Sequence, residues 1–337
     1  MRNKSKVTMN DIADRLEISK NAVSLALSNK KGVSESLRKK ILDTARQMNY
    51  GNFIPADGKT NCIISIVPEY IHNDAYFYSD IFWSIEKEAK KRSCISIMSG
   101  ITKNAEKELS LPQIPPEMEN KGYLVIGIVN SAYIDKLLQT GSPVVSVDIT
   151  HNETSVRSVS AANLPGGYTA TKYLIDKGHK EIGFIGPIYS AQSVYERWCG
   201  FCQAMDIHGL KVEPNYNIVG NKNEFRLFDT IEALENQINT IDKYPTAWFC
   251  AGDRIAVALI NILTRKGIKV PDEISVIGFD DIPLSELILP ALTTMKIDRK
   301  LMGELALEAL LNHKQEHCQN INISVTPVER DSVKHII

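Results

Sequence analysis

From residue 61 to about residue 330 the chain alternates short β-branched or apolar runs with longer amphipathic stretches, and this alternation limits the fold more than any other feature. The runs are Cys62–Val67, Cys94–Met98, Tyr123–Val129, Val144–Val147, Ile182–Ile185, Thr246–Cys250 and Ile274–Gly278. Helical patterns lie between and beyond them over 79–92, 166–177, 227–239, 253–266 and 299–312. Strand and helix in turn build βαβ units, which need parallel sheets covered on both faces. Lys177-Gly178 and Lys266-Gly267 each put a basic last turn and a glycine at a helix end. About 270 residues in this style are too many for one sheet, so two doubly wound α/β subdomains are expected.

The first sixty residues have a different texture. Three short helical patterns occupy residues 8–50, followed by a stretch at 51–60 with the composition of a linker, including Gly51, Pro55 and Gly58. The formal net charge of the 337-residue chain is only −1, but its distribution is uneven. Residues 1–60 hold twelve Lys/Arg and six Asp/Glu, a net of +6; subtracting these from 39 basic and 40 acidic residues leaves 27 and 34, a net of −7. A small basic head on a larger acidic body fits a polyanion-binding domain joined to something else.

Within the head, Thr8-Met9-Asn10-Asp11 has the form of a capping box with Asp in the fourth place. That helix should stop near Glu17. Ser19 then caps a second helix, and Ile18 can staple onto Val23. Ala22, Val23, Ala26 and Leu27 point inward, leaving Lys20, Asn21, Ser24 and Leu25 on one outer face. A third helix starts at Ser34, buries Leu37, Ile41, Ala45 and Met48, and displays Arg38, Lys39, Lys40 and Arg46. Two helices across a tight turn, braced by a third, can push the start of the second into a major groove. There Asn pairs with adenine and Lys donates to guanine, while Ser hydroxyls and helix-start N–H groups suit phosphates. A plain three-helix bundle used for protein contacts is the alternative reading.

Other classes find little support. No run of eighteen apolar residues exists, so no membrane partner is expected, and the basic Met1–Lys6 start lacks the apolar region of a signal peptide. Cys62, Cys94, Cys199, Cys202, Cys250 and Cys318 include one C-x-x-C but no second pair or His cluster, so no metal is expected and the thiols read as small buried residues of a cytoplasmic protein. G-x-G-x-x-G, P-loop and H-E-x-x-H motifs are absent, and Gly166-Gly167 opens a helix without the rest of a phosphate cradle. No catalytic residues and no cofactor are therefore expected; His179 reads as a turn or cap residue.

Val7–Ala13, Ile18–Leu27, Gly32–Ile41 and the closing Met48-Asn49-Tyr50 together resemble the head of LacI/GalR-family regulators, with spacing that matches without a gap. The resemblance continues through Gly167–Leu174 with Gly178–Gly186, and through Val270–Asp281. It implies a helix-turn-helix head over 1–50, a hinge at 51–60, and a periplasmic-binding-protein-like body over 61–337 that binds an effector and dimerises. Crossings between subdomains are expected near 160–163, 290–293 and 323–327, giving an N-subdomain of about 61–160 plus 293–323 and a C-subdomain of about 163–290 plus 327–337. DNA contacts carry over onto Thr8, Ser19, Lys20, Asn21, Ser24, Leu25, Ser34 and Tyr50. Effector contacts fall on Tyr76, Phe77, Arg197, Asp253 and Asp280, which follow strand ends where open α/β sheets bind ligands.

Each effector residue has a plain reading beside it: core packing for Tyr76 and Phe77, a structural ion pair for Arg197, a helix cap for Asp253. Trp198 and Trp248 read as core. The chain also departs from the family pattern. Glu17 stands where a turn glycine is usual, Leu25 where a base-reading Arg is common, and the linker lacks the family's Ala-x-x-Leu wedge. Gly252 and Ala162 replace polar residues that grip sugars. The expected protein is a homodimeric repressor whose grip on double-stranded operator DNA is set by a small, sugar-like effector. A pure receptor, or a DNA-binding protein with a vestigial pocket, are the competing readings.

Overall fold

A computed structural model describes residues 7–336 apart from 29, 49, 51–59, 150–155, 222–229 and 313–319. The expected linker thus lies outside the described residues, except Thr60, which opens the first strand.

The body begins with strand β1 (Thr60–Pro68), buried from Cys62 onward because it runs in the middle of a parallel sheet with both faces covered. Around it stand β2 (Ile95–Ile101), β3 (Met118–Ile126), β4 (Val144–Val147), β5 (Arg157–Ala161) and β10 (Ile321–Ile323), in the order β10-β5-β4-β3-β1-β2. Every pairing in this sheet is parallel. Its faces are covered by α4 (Ala75–Lys91), α6 (Ser131–Leu138) and α12 (Arg299–Leu311), and the short α5 (Lys103–Lys107) follows the edge strand in the chain. β4 and β6 (Ile182–Ile185) fill the ranges the sequence pattern gives them, whereas β5 emerges from the unpromising Arg-Ser-Val-Ser-Ala. There Ser158 and Ser160 are buried, and their hydroxyls bond the Asn320 and Asn322 amides.

The second sheet is parallel, ordered β6-β7-β8, with β7 at Ala247–Cys250 and β8 at Ser275–Ile277. It carries α7 (Asn163–Asp176), α8 (Gln192–Ile207), α9 (Ile231–Ile238), α10 (Asp253–Arg265) and the single turn α11 (Leu284–Leu287). Two further strands, β9 (Thr294–Lys296) and β11 (Thr326–Val328), pair antiparallel. Bridges Ile277–Thr293 and Asp280–Lys296 keep β9 beside β8. The middle crossing, expected at 290–293, therefore falls after Lys296: Arg299 opens α12, whose Gly303 packs on Ile81 and Ser84 of α4 in the other subdomain.

Helices α7 and α8 touch backbone to backbone. A Cβ on Gly167 would sit 2.3 Å from the Arg197 carbonyl oxygen, and one on Gly200 would sit 2.2 Å from that of Leu164. Only glycine permits this approach, and it fixes where Arg197 stands. The described cysteines are free thiols, with Cys62, Cys94 and Cys250 buried. Among the described residues no helix is long and apolar enough to cross a membrane.

His179 sits in the turn that closes α7, its amide donating to the Leu174 carbonyl at 3.1 Å, and its side chain is fully buried, one ring nitrogen 3.0 Å from the Thr246 hydroxyl and the other 3.3 Å from the Lys334 carbonyl. Burial lowers its pKa to about 4, so the ring is neutral.

Candidate functional site

The head consists of α1 (Met9–Leu16), α2 (Lys20–Leu27) and α3 (Glu35–Gln47) around Ile12, Val23, Ala26, Ile41 and Ala45. The capping box forms: the Thr8 hydroxyl accepts from the Asp11 amide, and the Asp11 carboxylate accepts from the Thr8 amide at 2.7 Å. These bonds hold the Asp11 carboxyl below its usual pKa. Glu17 ends α1 in the left-handed region at φ 54°, so it does the work of a turn glycine at a cost of roughly 1 kcal/mol. Ser19 caps α2 by accepting from the Ala22 amide at 3.1 Å, and Ser34 does the same for the Leu37 amide at 3.3 Å.

Lys20 and Asn21 stand exposed at the start of α2, beside first-turn N–H groups that face outward. Thr8, Ser19 and Ser34 are exposed as well, while Ser24 and Leu25 are half-buried, Leu25 resting its Cδ1 against Gly32. One expectation changes. Arg38 is not on display: it is 6% exposed, and its guanidinium donates to the carbonyls of Leu25 (3.3 Å), Ala26 (3.2 Å) and Lys30 (2.6 Å). It thereby closes the C-terminal end of α2 and locks that helix to α3. Tyr50 is buried, its side chain joining the head core, and its amide donates to the Ala45 carbonyl at 3.0 Å.

In the body, a cavity of about 790 Å³ opens where the C-terminal ends of the two sheets meet, lined among others by Tyr70, Pro187, Arg197, Gly252, Asp280 and Ile282. Arg197 is 6% exposed and fully engaged. Its Nε donates to Asn163 Oδ1 at 2.9 Å, its Nη1 to the Ala251 carbonyl at 2.5 Å, and the same nitrogen lies 3.1 Å from Asp280 Oδ1. The guanidinium also stacks 3.8 Å over the Phe279 ring. Asp280 and Asp281 both have positive φ, 111° and 52°. The Asp281 carboxylate is held by Arg330 at 2.7 Å.

Asp253 is not in the cavity wall. It is fully buried, accepting from the Ile282 amide at 2.9 Å, the Ser285 hydroxyl at 3.2 Å and the Thr294 hydroxyl. A Cβ on Gly278 would collide with its Oδ1 at 2.2 Å, so the glycine makes room for the carboxylate. Burial raises its pKa to about 6 against the pull of those three bonds. Asp253 does not cap α10; its carboxylate ties the start of α10 to α11 and β9. Phe77 is also core, edge-on to Tyr78 at 4.9 Å, while Tyr76 is 60% exposed.

On the other subdomain, sequence reasoning missed Tyr70, which lines the cavity, while Tyr78 beside Phe77 is core. The Tyr70 hydroxyl accepts from the Ile128 amide at 2.5 Å, and the Tyr78 hydroxyl donates to Asp148 at 2.9 Å. A tyrosine just after β1 was the available signal, since strand ends face the cleft.

Residues 8–52 match the family model for bacterial regulatory proteins of the lacI family, and residues 171–333 match that of a periplasmic binding protein-like domain. The HTH-type transcriptional repressor PurR of Haemophilus influenzae is 30% identical over 339 residues, spanning 98% of this chain and 99% of that protein. The chain belongs to the LacI family. A second PurR, from Glaesserella parasuis, is 29% identical over 95% of the chain and 94% of its own length. Among solved structures, the lac repressor dimer bound to operator and an anti-inducer matches with a TM-score of 0.70 at 21% identity, over 98% of this chain and all of that one. A LacI-family regulator of Enterococcus faecium with bound ribose matches with a TM-score of 0.68 at 23% identity, over 82% of this chain and all of that one.

The LacI-family member described here is thus a DNA-binding transcription regulator. The wall of its cleft offers fewer free polar groups than the sequence reading anticipated. Arg197 is committed to Asp280 and Asn163, Asp253 sits behind the wall, and Gly252 and Ala162 bring no polar side chain. Trp248 is core, with its indole N–H donating to the Tyr216 carbonyl at 2.9 Å.

Proposed function

We propose that the protein is a homodimeric repressor that reads a pseudo-palindromic operator with α2, its affinity set by a small molecule bound between the subdomains. The observation that carries this reading is the juxtaposition at the start of α2. Exposed Lys20 and Asn21 open a helix capped by Ser19, and the hydroxyl residues Thr8, Ser19 and Ser34 of the same head are exposed too. Asn21 supplies adenine readout and Lys20 guanine readout, with the hydroxyls and first-turn N–H groups on phosphates. Ser24 and Leu25 continue the same face, Leu25 offering apolar contact to a thymine methyl. Dimerisation is supported by an apolar surface on α4 and β2: Trp83 is 72% exposed, Met98 55% and Ile95 46%.

For the effector, the cleft favours a sugar derivative with an apolar or aromatic face over a richly hydroxylated sugar. Its lining is largely apolar, and its carboxylate, Asp280, is paired with Arg197, one of the two arginines in the wall beside Arg254. Two experiments test the reading. Selection of bound sequences from a random duplex library by the full chain should return two half-sites related by a dyad, and Asn21→Ala should cost about 1–3 kcal/mol of discrimination at one base pair per half-site. Calorimetry against pentoses, disaccharides and nucleosides should find a ligand. Operator binding with no ligand across the panel would leave the head's role standing and remove the effector's. Recovery of no sequence preference would remove the whole reading.

A further inference from the structure

Arg299 joins the two subdomains at the mouth of the cleft. Its Nη1 donates to the carbonyls of Asp280 (2.5 Å) and Asp281 (3.1 Å), while Nε and Nη2 reach Asp80 Oδ2 at 3.4 and 3.3 Å. The Arg299 side chain is 10% exposed and lies 5.8 Å over the Phe77 ring. Asp80 belongs to α4, the helix that carries the exposed Trp83. Asp280 and Asp281 belong to the loop after β8, and Asp280 contacts Arg197 in the cavity wall.

That loop is held in a strained conformation. Two successive non-glycine residues at positive φ are costly and persist only where ties over-determine them. The ties are visible: Arg197 on the Asp280 carboxylate, Arg330 at 2.7 Å and Lys296 at 3.9 Å on the Asp281 carboxylate, and Arg299 on both carbonyls. A molecule that draws Asp280 or Arg197 toward itself removes one tie and lets the loop move. The carbonyls move with it, and so does the one guanidinium that holds both them and α4.

We propose that Arg299 is a positioning residue that transmits occupancy of the cleft to α4 by clamping the Asp280 and Asp281 carbonyls to Asp80. The inference rests on the reading of the cleft as the effector site, but the link itself exists without ligand and is tested without one. Its polarity is built in. α12, which Arg299 opens, also packs on α4, with the Ser84 hydroxyl donating to the Lys300 carbonyl at 2.6 Å. Displacement of the loop therefore pulls on the first turn of α12 and on α4 together.

Hydrogen exchange of the full chain, read by mass spectrometry on peptides, decides the matter. Asp80→Asn alters only the α4 end of the clamp. It should speed exchange about tenfold in 278–284, across the subdomain boundary, as well as in 76–84. Arg299→Met should do the same to a larger degree, while peptides over β3 and β6 stay unchanged in both variants. Unchanged exchange at 278–284 in Asp80→Asn overturns the proposal, whatever α4 does. Acceleration that spreads to β3 and β6 is general loss of the fold and also counts against it. Because no ligand or DNA is added, a negative result here leaves the effector and operator readings to their own tests.

Discussion

Arg197 and Asp280 meet at 3.1 Å inside the cleft, so the most polar pair in the wall is already satisfied by itself. The arginine is nearly buried and has three partners, whereas the Asp280 side chain is 20% exposed. This asymmetry sets the expected costs. Arg197→Met leaves Asn163, the Ala251 carbonyl and a carboxylate without their donor, and should lower the stability of the body by about 3 kcal/mol. Asp280→Asn keeps a hydrogen-bonding group in place and should cost about 1 kcal/mol. Urea unfolding followed by Trp fluorescence measures both; equal costs would mean that the pair is not joined.

In the head, Arg38 and Lys39 are neighbours with opposite duties. Arg38→Met should destabilise the head by about 2–3 kcal/mol, because three carbonyls at the end of α2 lose a charged donor. It should weaken operator binding through disorder of the recognition helix. Lys39→Met, on the exposed face, should leave stability alone. If Lys39 contacts a phosphate, it should reduce the slope of log affinity against log salt by about one. Exchange protection of residues 20–27 and binding titrations at several salt concentrations separate the two effects.

Two buried groups give opposing pH dependences. Asp253 has its folded-state pKa raised from 3.8 to about 6, so the folded state takes up its proton first and folding gains as pH falls through that interval. His179 has its pKa lowered from 6.5 to about 4, so the unfolded state is protonated first and folding loses as pH falls from 6.5 toward 4. Stability measured by urea titration between pH 7 and 4 should therefore drop more steeply in Asp253→Asn than in the parent. In His179→Gln it should drop less steeply. Parallel curves for all three proteins would contradict both assignments.

The apolar surface on α4 and β2 yields a simple test. Trp83→Asp places a charge at a residue that is 72% exposed in the single chain, so it should barely alter monomer stability. If that surface is the dimer contact, sedimentation should shift from dimer to monomer by at least tenfold in dissociation constant. An unchanged distribution would place the contact elsewhere.

The alternation of strands and helices was legible because period and length decide it locally, and β4 and β6 fall on their expected ranges. The capping box of α1, the Ser19 cap of α2 and the stop at Glu17 were legible for the same reason. What escaped was decided by partners far along the chain. Arg38 looks like one more base on a basic helix until α2 docks on it, twelve or thirteen residues away. Asp253 reads as a cap or a ligand group because its partners, Ile282, Ser285 and Thr294, lie 29, 32 and 41 residues on. The crossing after Lys296 depends on a two-stranded pairing with Thr326–Val328 that has too few residues to show a pattern. The Arg197–Asp280 pair joins two residues that were each identified as cleft residues, but their mutual bond could not be read from either alone.

Tyr50 ends the head as a core residue, and among the described residues every apolar side chain that closes that core lies between Val7 and Tyr50. A recombination joint placed just after Tyr50 would therefore sever none of the described packing that holds the head together. Evolution can exchange such a head between bodies as one interchangeable part, so a new operator address can be acquired without redesigning the sensor behind it.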